Sequence, residues 1–185
     1  FGWHEGTFAL NRWYPILGVL DSKGWHNDPD YLLHMPYISD SAMYKVKIEM
    51  PQEYVLASGC DQEKIEDTGG GRKLYSLSSS FPLREMSLSV SRDYKVKEIE
   101  ADGVRIRSFY FSKDEKFGEK AAESARDMLA YYGKRFGKYP YKQFSVAPVF
   151  LGYGGSQNAG IVFIDARLYN LPPFLFRYFD FLVAH

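Results

Sequence analysis

Residues 152–165 read GYGGSQNAGIVFID, a glycine-rich turn followed by an apolar, β-branched segment typical of a buried strand. Loops that bind phosphate also combine glycines with a regular element, but they need the free N–H groups at the start of a helix and usually add a lysine. Here the glycines precede a predicted strand, so the sequence does not favour a nucleotide site. Paired glycines beside a strand can instead let the backbone of an extended peptide approach the strand edge.

The segments on either side of this loop predict alternating strands and helices. Before it, FGKYPY (136–141) predicts a proline turn and FSVAPVF (144–150) predicts a strand. After it, AGIVFID (159–165) predicts a second strand, and an apolar helix over 174–184 leads to His185. The second half of the chain is therefore predicted to contain both strands and helices.

A long amphipathic helix is predicted after residue 111. Its apolar stripe consists of Phe117, Ala121, Ala125, Met128, Leu129, Tyr132 and Phe136. Ser112, with Glu115 three residues later, predicts a capping box at the start of this helix. The change from strand to helix periodicity predicts a domain boundary that separates residues 1–111 from residues 112–185.

The first 111 residues carry the apolar and polar alternation of half-buried strands. The apolar positions are Tyr44, Val46, Ile48 and Met50, which alternate with charged residues, and Met86, Leu88 and Val90, which alternate with serines. Glycines at 69–71 predict a turn, and the pair Asp102 and Gly103 predicts a tight hairpin turn with positive φ. These patterns predict an antiparallel sheet or sandwich.

Composition limits the classes of partner. Lysine plus arginine number 23 and aspartate plus glutamate number 23, so a net charge of zero gives no general attraction for nucleic acid or anionic lipid. The content of 45% hydrophobic and 17% aromatic residues predicts a packed globular core. The single Cys60 cannot form an internal disulfide, which leaves both a cytoplasmic and an exported location open.

The predicted helix over 174–184 is apolar on every side, which is typical of a helix inside a larger protein. It is too short and too charged to span a bilayer. We expect it to be exposed or covered by another chain, and self-association through it is one expected outcome. His185 ends this helix: it is either a satisfied terminal histidine or, if Glu-x-x-His follows, the first ligand of a zinc site.

Other candidate residues stand alone. The remaining histidines, with no cysteine or histidine at zinc-finger spacing, are predicted to be surface or packing residues: His4, His26 and His34. A stand-alone carbohydrate-binding sandwich would use the tryptophans Trp3, Trp13 and Trp25. That hypothesis gives no purpose to the long helix or to the glycine loop.

Several segments occur in the order found in one family. They are NRWYPIL (11–17), YKVKIEMPQEYVLASG (44–59), RDY (92–94) with its hairpin, YYGKRFGKYPY (131–141), GGSQNAGIVFID (154–165) and LVAH (182–185). Together they resemble the aminopeptidase-N-like zinc metallopeptidases of the gluzincin group. The resemblance implies an antiparallel β-sandwich over residues 1–111, followed by the incomplete first part of a thermolysin-like catalytic domain over residues 112–185.

The resemblance also implies site residues. The family's Gly-x-Met-Glu-Asn substrate loop matches Gly154, Gly155, Ser156, Gln157 and Asn158, and its first zinc-binding histidine matches His185. Ser156 replaces the methionine, and Gln157 replaces the glutamate that binds a substrate's free α-amino group. The catalytic glutamate, the remaining zinc ligands and the transition-state tyrosine are absent from this chain. The resemblance thus implies a parent protein that hydrolyses peptides with a zinc-bound water, and a fragment that is inactive and does not hold zinc.

A non-catalytic peptide-binding or scaffold protein on the same fold is the competing hypothesis. Gln157 supports it, because a substrate loop without its carboxylate can mark a lost activity. Glu-x-x-His directly after His185 in the parent sequence would favour the enzyme.

Overall fold

A computed structural model describes residues 2–26 and 39–185. Their regular elements, in chain order, are β1 (Gly2–His4), β2 (Thr7–Leu10), β3 (Leu20–Asp21), β4 (Gly24–Trp25), β5 (Lys45–Pro51), β6 (Val55–Ser58), β7 (Gln62–Gly69), β8 (Arg72–Ser78), β9 (Leu88–Ser91), β10 (Tyr94–Ala101), β11 (Val104–Phe111), α1 (Glu115–Phe136), β12 (Gln143–Val149), β13 (Gly155–Asn158), β14 (Ile161–Asp165) and α2 (Phe176–Ala184).

Three sheets and a pair of helices are stacked as layers. The outer sheet has the strand order β5-β8-β7, the middle sheet β1-β2-β9-β6 and the mixed sheet β10-β11-β12-β14-β13, while β3 and β4 form a separate small hairpin. One apolar cluster joins the outer and middle sheets, and another joins the middle and mixed sheets. A third cluster joins the mixed sheet to α1 and α2. The mixed sheet is thus covered on both faces.

The predicted β-rich first half is confirmed for the described residues, which contain no helix before Ser112. The predicted hairpin is also confirmed, since Ala101 pairs with Val104 across a two-residue turn. Asp102 and Gly103 have φ values of 52° and 78°, the left-handed conformation that this turn requires.

The prediction of a half-buried strand at residues 86–91, with its serines on the solvated face, was wrong. Ser87, Ser89 and Ser91 are all buried. The middle sheet has a sheet on each side, so both faces of β9 lie in the interior. Ser89 satisfies its hydroxyl group with the carbonyl oxygen of Phe8 and the hydroxyl group of Tyr94.

The predicted capping box at the start of α1 was also wrong. Residues Ser112–Asp114 form a turn of 3₁₀ helix, and α1 begins at Glu115 with no side-chain capping bond. The chain enters α1 through this turn, so Ser112 lies too early to cap it. The hairpin of β10 and β11 belongs to the same mixed sheet as β12 to β14. The division into domains at residue 112 stays a prediction.

α2 buries only one of its faces. Phe179, Leu182 and Val183 pack into the cluster under the mixed sheet, whereas Tyr178 and Phe181 are exposed. Self-association through the exposed face stays a prediction. None of the helices in the described part of the chain is long and apolar enough to cross a membrane.

Candidate functional site

The glycine-rich loop contains a strand that its residues did not predict. Gly155–Asn158 forms β13, which pairs antiparallel with β14 and lies at the edge of the mixed sheet. A two-residue turn at Ala159 and Gly160 joins the two strands. The polar segment GSQN becomes a strand because it pairs with the apolar, buried β14, and not because of its own composition.

The pairing register determines which backbone groups of β13 remain open. The N–H of Asp165 donates to the carbonyl oxygen of Gly154 at 3.0 Å. Hydrogen-bonded pairs alternate along an antiparallel ladder, so Ser156 and Asn158 direct their backbone groups toward β14. The N–H and C=O groups of Gly155 and Gln157 therefore point outward, from the open edge of the mixed sheet.

The same register assigns the side chains to the two faces of the mixed sheet. Gln157 lies opposite Val162, which packs against the helices, so its side chain lies on the helix face. Ser156 and Asn158 lie on the opposite face, toward the middle sheet. Gln157 is exposed, and β13 contains no charged residue. The open edge is thus electrically neutral.

The paired glycines bring the loop close to α2. A Cβ atom at Gly154 would lie 2.9 Å from Oη of Tyr178 and 3.1 Å from Cδ2 of Leu182. A Cβ atom at Gly155 would lie 3.0 Å from the carbonyl oxygen of Phe163. These contacts give both glycines a packing role that the sequence did not predict, and their role in binding a peptide stays a prediction.

Asp165 holds the loop in place from the end of β14. It is 1% exposed, and its carboxylate accepts hydrogen bonds from the backbone N–H groups of Leu151 (3.2 Å) and Gly152 (2.8 Å). The backbone N–H of Arg167 (3.0 Å) and its guanidinium group (2.8 and 3.1 Å) also donate to it. Burial raises the pKa of Asp165, but the hydrogen bonds from Arg167, Gly152 and Leu151 outweigh it and lower the pKa to about 2. The carboxylate is therefore charged at neutral pH.

A second anchor joins the hairpin of β13 and β14 to the middle sheet. The hydroxyl group of Ser87 donates to Oδ1 of Asn158 at 3.1 Å, and the amide nitrogen of Asn158 donates to the carbonyl oxygen of Ser156 at 3.3 Å. Gly59, at the end of β6, lies directly against the turn at residues 159–160. The position of β13 is therefore fixed from both sides.

His185 follows α2 at its C-terminal end. Its backbone N–H donates to the carbonyl oxygen of Phe181 at 2.9 Å, and its ring stacks on the Phe181 ring with centroids 5.7 Å apart. His185 lies one helical turn beyond Leu182, the residue that contacts the glycine loop.

Zinc needs three or four protein ligands, and nowhere in the described part of the chain do three His, Cys, Asp or Glu side chains gather to hold a metal ion. The residues present here do not by themselves fit a zinc site.

The other candidate residues have local partners. His4 packs edge-on against Phe150, and His26 pairs with Asp21 at 2.8 Å. His34 lies outside the described residues. Trp13 donates its indole N–H to the carbonyl oxygen of Met86 and packs at the core between the outer and middle sheets. Trp13 is therefore half-buried, whereas Trp3 and Trp25 are exposed.

Comparisons of the chain with protein-family models and with curated proteins find no match.

Proposed function

We propose that this chain is the peptide-holding part of a zinc metallopeptidase of the aminopeptidase-N-like kind. An extended peptide would add to the open edge of β13 as a further strand, with the outward N–H and C=O groups of Gly155 and Gln157 as its partners. The observation that carries the proposal is this unpaired edge, which hydrogen bonds to Asp165 and from Ser87 hold beside α2.

The position of α2 supports the same proposal. The helix packs directly under Gly154 through Tyr178 and Leu182, and His185 follows on the same flank one turn later. His185 is the residue of this chain that would hold the metal in the complete enzyme that we propose. In the complete enzyme that we propose, zinc would supply an activated water, and the part played by this chain is to hold and orient the peptide.

The neutral edge favours backbone recognition over recognition of charge. Gln157 offers an amide where the family resemblance implies a carboxylate, so no side chain of β13 attracts a substrate's ammonium group. We therefore propose that the chain accepts acetylated peptides about as well as peptides with a free amine.

Replacing Gln157 with proline should remove peptide binding without unfolding the edge. Proline at position 157 lacks the outward N–H. In the wild-type chain this N–H makes no hydrogen bond to β14, so the pairing of β13 with β14 is preserved. We expect the affinity for an acetylated, amidated, uncharged peptide to fall at least tenfold. Isothermal titration calorimetry with wild-type and variant chains would measure the change.

Gln157→Ala is the matched control, because it removes the side chain and keeps the backbone N–H. It should bind the peptide within about threefold of wild type. Equal affinities for wild type, Gln157→Ala and Gln157→Pro would show that the peptide does not pair with β13, and no binding by the wild-type chain would refute the proposal directly.

This chain alone should not retain zinc. His185 supplies a single ligand, and the described residues hold no group of three candidate ligands. We expect less than about one tenth of an equivalent of zinc after dialysis against a mild chelator, measured by atomic emission. One equivalent that disappears in His185→Ala would contradict our assignment of the chain as a partial site.

A non-catalytic peptide-binding protein is the second candidate, and the neutral Gln157 favours it. Both candidates share the β13 edge and differ only in chemistry. The codons that follow His185 in the gene separate them: Glu-x-x-His favours the peptidase, and any other sequence favours the binding protein.

A further inference from the structure

α2 carries a stack of aromatic rings on the flank next to the glycine loop. The ring centroids of Tyr178 and Phe181 are 6.4 Å apart with an angle of 20° between their planes, and the ring of His185 continues the stack at 5.7 Å and 8°. Tyr178 is 43% exposed and Phe181 is 57% exposed. Tyr178 and Phe181 together form an aromatic ladder.

The aromatic ladder lies beside the open edge and not on a remote surface. The hydroxyl oxygen of Tyr178 would be 2.9 Å from a Cβ atom at Gly154, immediately before β13 begins. Phe181 follows Tyr178 by three residues and so lies on the same flank of α2. A strand added to β13 would run about 4.8 Å beyond it, on the side where Tyr178 and Phe181 are exposed next to the loop.

The register of β13 determines which side chains of an added strand meet the ladder. Successive side chains of a strand point to opposite faces of a sheet. Every second side chain of the peptide would therefore face α2 and the ladder. The side chains between them would face the side of the sheet on which Ser156 and Asn158 lie.

We infer that the substrate class of this edge is an extended peptide that alternates aromatic and small polar residues, with its aromatic side chains on the ladder. This inference rests on the proposed function, because it concerns the same edge. Stacking between aromatic rings contributes binding free energy in addition to that of burial, so aromatic side chains are favoured on the helix face. Hydroxyl and amide groups favour small polar side chains on the opposite face.

Two acetylated and amidated five-residue peptides of equal composition test the inference. One has the order Ser-Tyr-Ser-Tyr-Ser, and the other has its two tyrosines adjacent, so that only one of them can face the ladder. Calorimetry with the wild-type chain should show about fivefold tighter binding of the alternating peptide. Phe181→Ala should abolish this preference. Phe174→Ala is the matched control, since Phe174 is 81% exposed, precedes α2 and lies outside the ladder; it should keep the preference.

The outcomes distinguish failure of the proposed function from failure of the inference about the ladder. If neither peptide binds the wild-type chain, the proposed function fails. If both bind with equal affinity, the edge binds peptides and the inference about the ladder is wrong. A dimer in sedimentation velocity that Phe181→Ala dissociates, together with equal affinities for both peptides, would also overturn it, because a second copy would then occupy the ladder.

Discussion

The Asp165→Asn chain should lose roughly 2 to 3 kcal/mol of unfolding free energy at pH 7 relative to wild type. The carboxylate is buried and accepts hydrogen bonds from Leu151, Gly152 and Arg167. An asparagine amide keeps one acceptor oxygen but places an NH₂ group against N–H donors, so part of this set is left unpaired. Urea denaturation at pH 7 measures the loss.

The size of this loss should depend on pH. The pKa of Asp165 is about 2 in the folded chain against an ordinary value of 3.8, so the charged form stabilises the fold. This stabilisation is complete above about pH 5 and is lost as the pH falls through the folded pKa. We expect the difference between wild type and Asp165→Asn to shrink to about half by pH 3. A difference that is constant from pH 7 to pH 3 would contradict the assigned pKa.

Arg167→Ala is the control for this prediction. The Arg167 side chain is 67% exposed, and its backbone N–H still donates to Asp165 when the side chain is removed. An exposed partner contributes little, so the loss should stay below about 1 kcal/mol. If Arg167→Ala lost as much unfolding free energy as Asp165→Asn, the loop would be held by the ion pair and not by the backbone hydrogen bonds.

Local chemistry made much of the fold predictable. The alternation of Tyr44, Val46 and Ile48 with charged residues marks a strand with one solvated face, and β5 is such a strand at the outside of the stack. The Asp102 and Gly103 pair requires a tight turn wherever it lies. The alternating serines led to the wrong prediction of a half-buried strand, because a sheet on each side of β9 buries both of its faces. Alternation in the sequence does not show whether a third layer is present.

The helix and strand on either side of the glycine loop were predictable, but the edge strand within it was not. Glycines before a β-branched segment indicated a loop at a strand, and the apolar run indicated a helix that leads to His185. β13 was missed because GSQN has low strand propensity and depends on its pairing with β14. The outward direction of the Gln157 backbone depends on the pairing register of β13 and β14, which the sequence does not show and the structure does.

Gly59→Ala should be among the most damaging single-methyl additions in this chain, at about 3 kcal/mol of unfolding free energy. A Cβ atom at Gly59 would overlap the carbonyl oxygen of Ala159 and lie 3.1 Å from the carbonyl carbon of Gly160. Both are backbone atoms, so no rotamer change relieves the contact. Gly160 forms the other side of the same contact. Its φ of +76° is a left-handed conformation that favours glycine.

The displaced element would be the hairpin that carries β13, so stability and binding should fall together. Moving the 159–160 turn away from Gly59 should lengthen the hydrogen bond from Ser87 to Asn158 and tilt the open edge relative to α2. Gly133→Ala is the matched control: nothing lies within 4 Å of its Cβ position on α1, and alanine favours a helix by up to about 1 kcal/mol. We expect Gly133→Ala to keep the wild-type affinity for the peptide. We expect Gly59→Ala to lose this affinity even at temperatures at which circular dichroism shows that the variant is folded. Wild-type stability in Gly59→Ala would show that the middle sheet does not position the hairpin, and then the edge would depend on Asp165 alone.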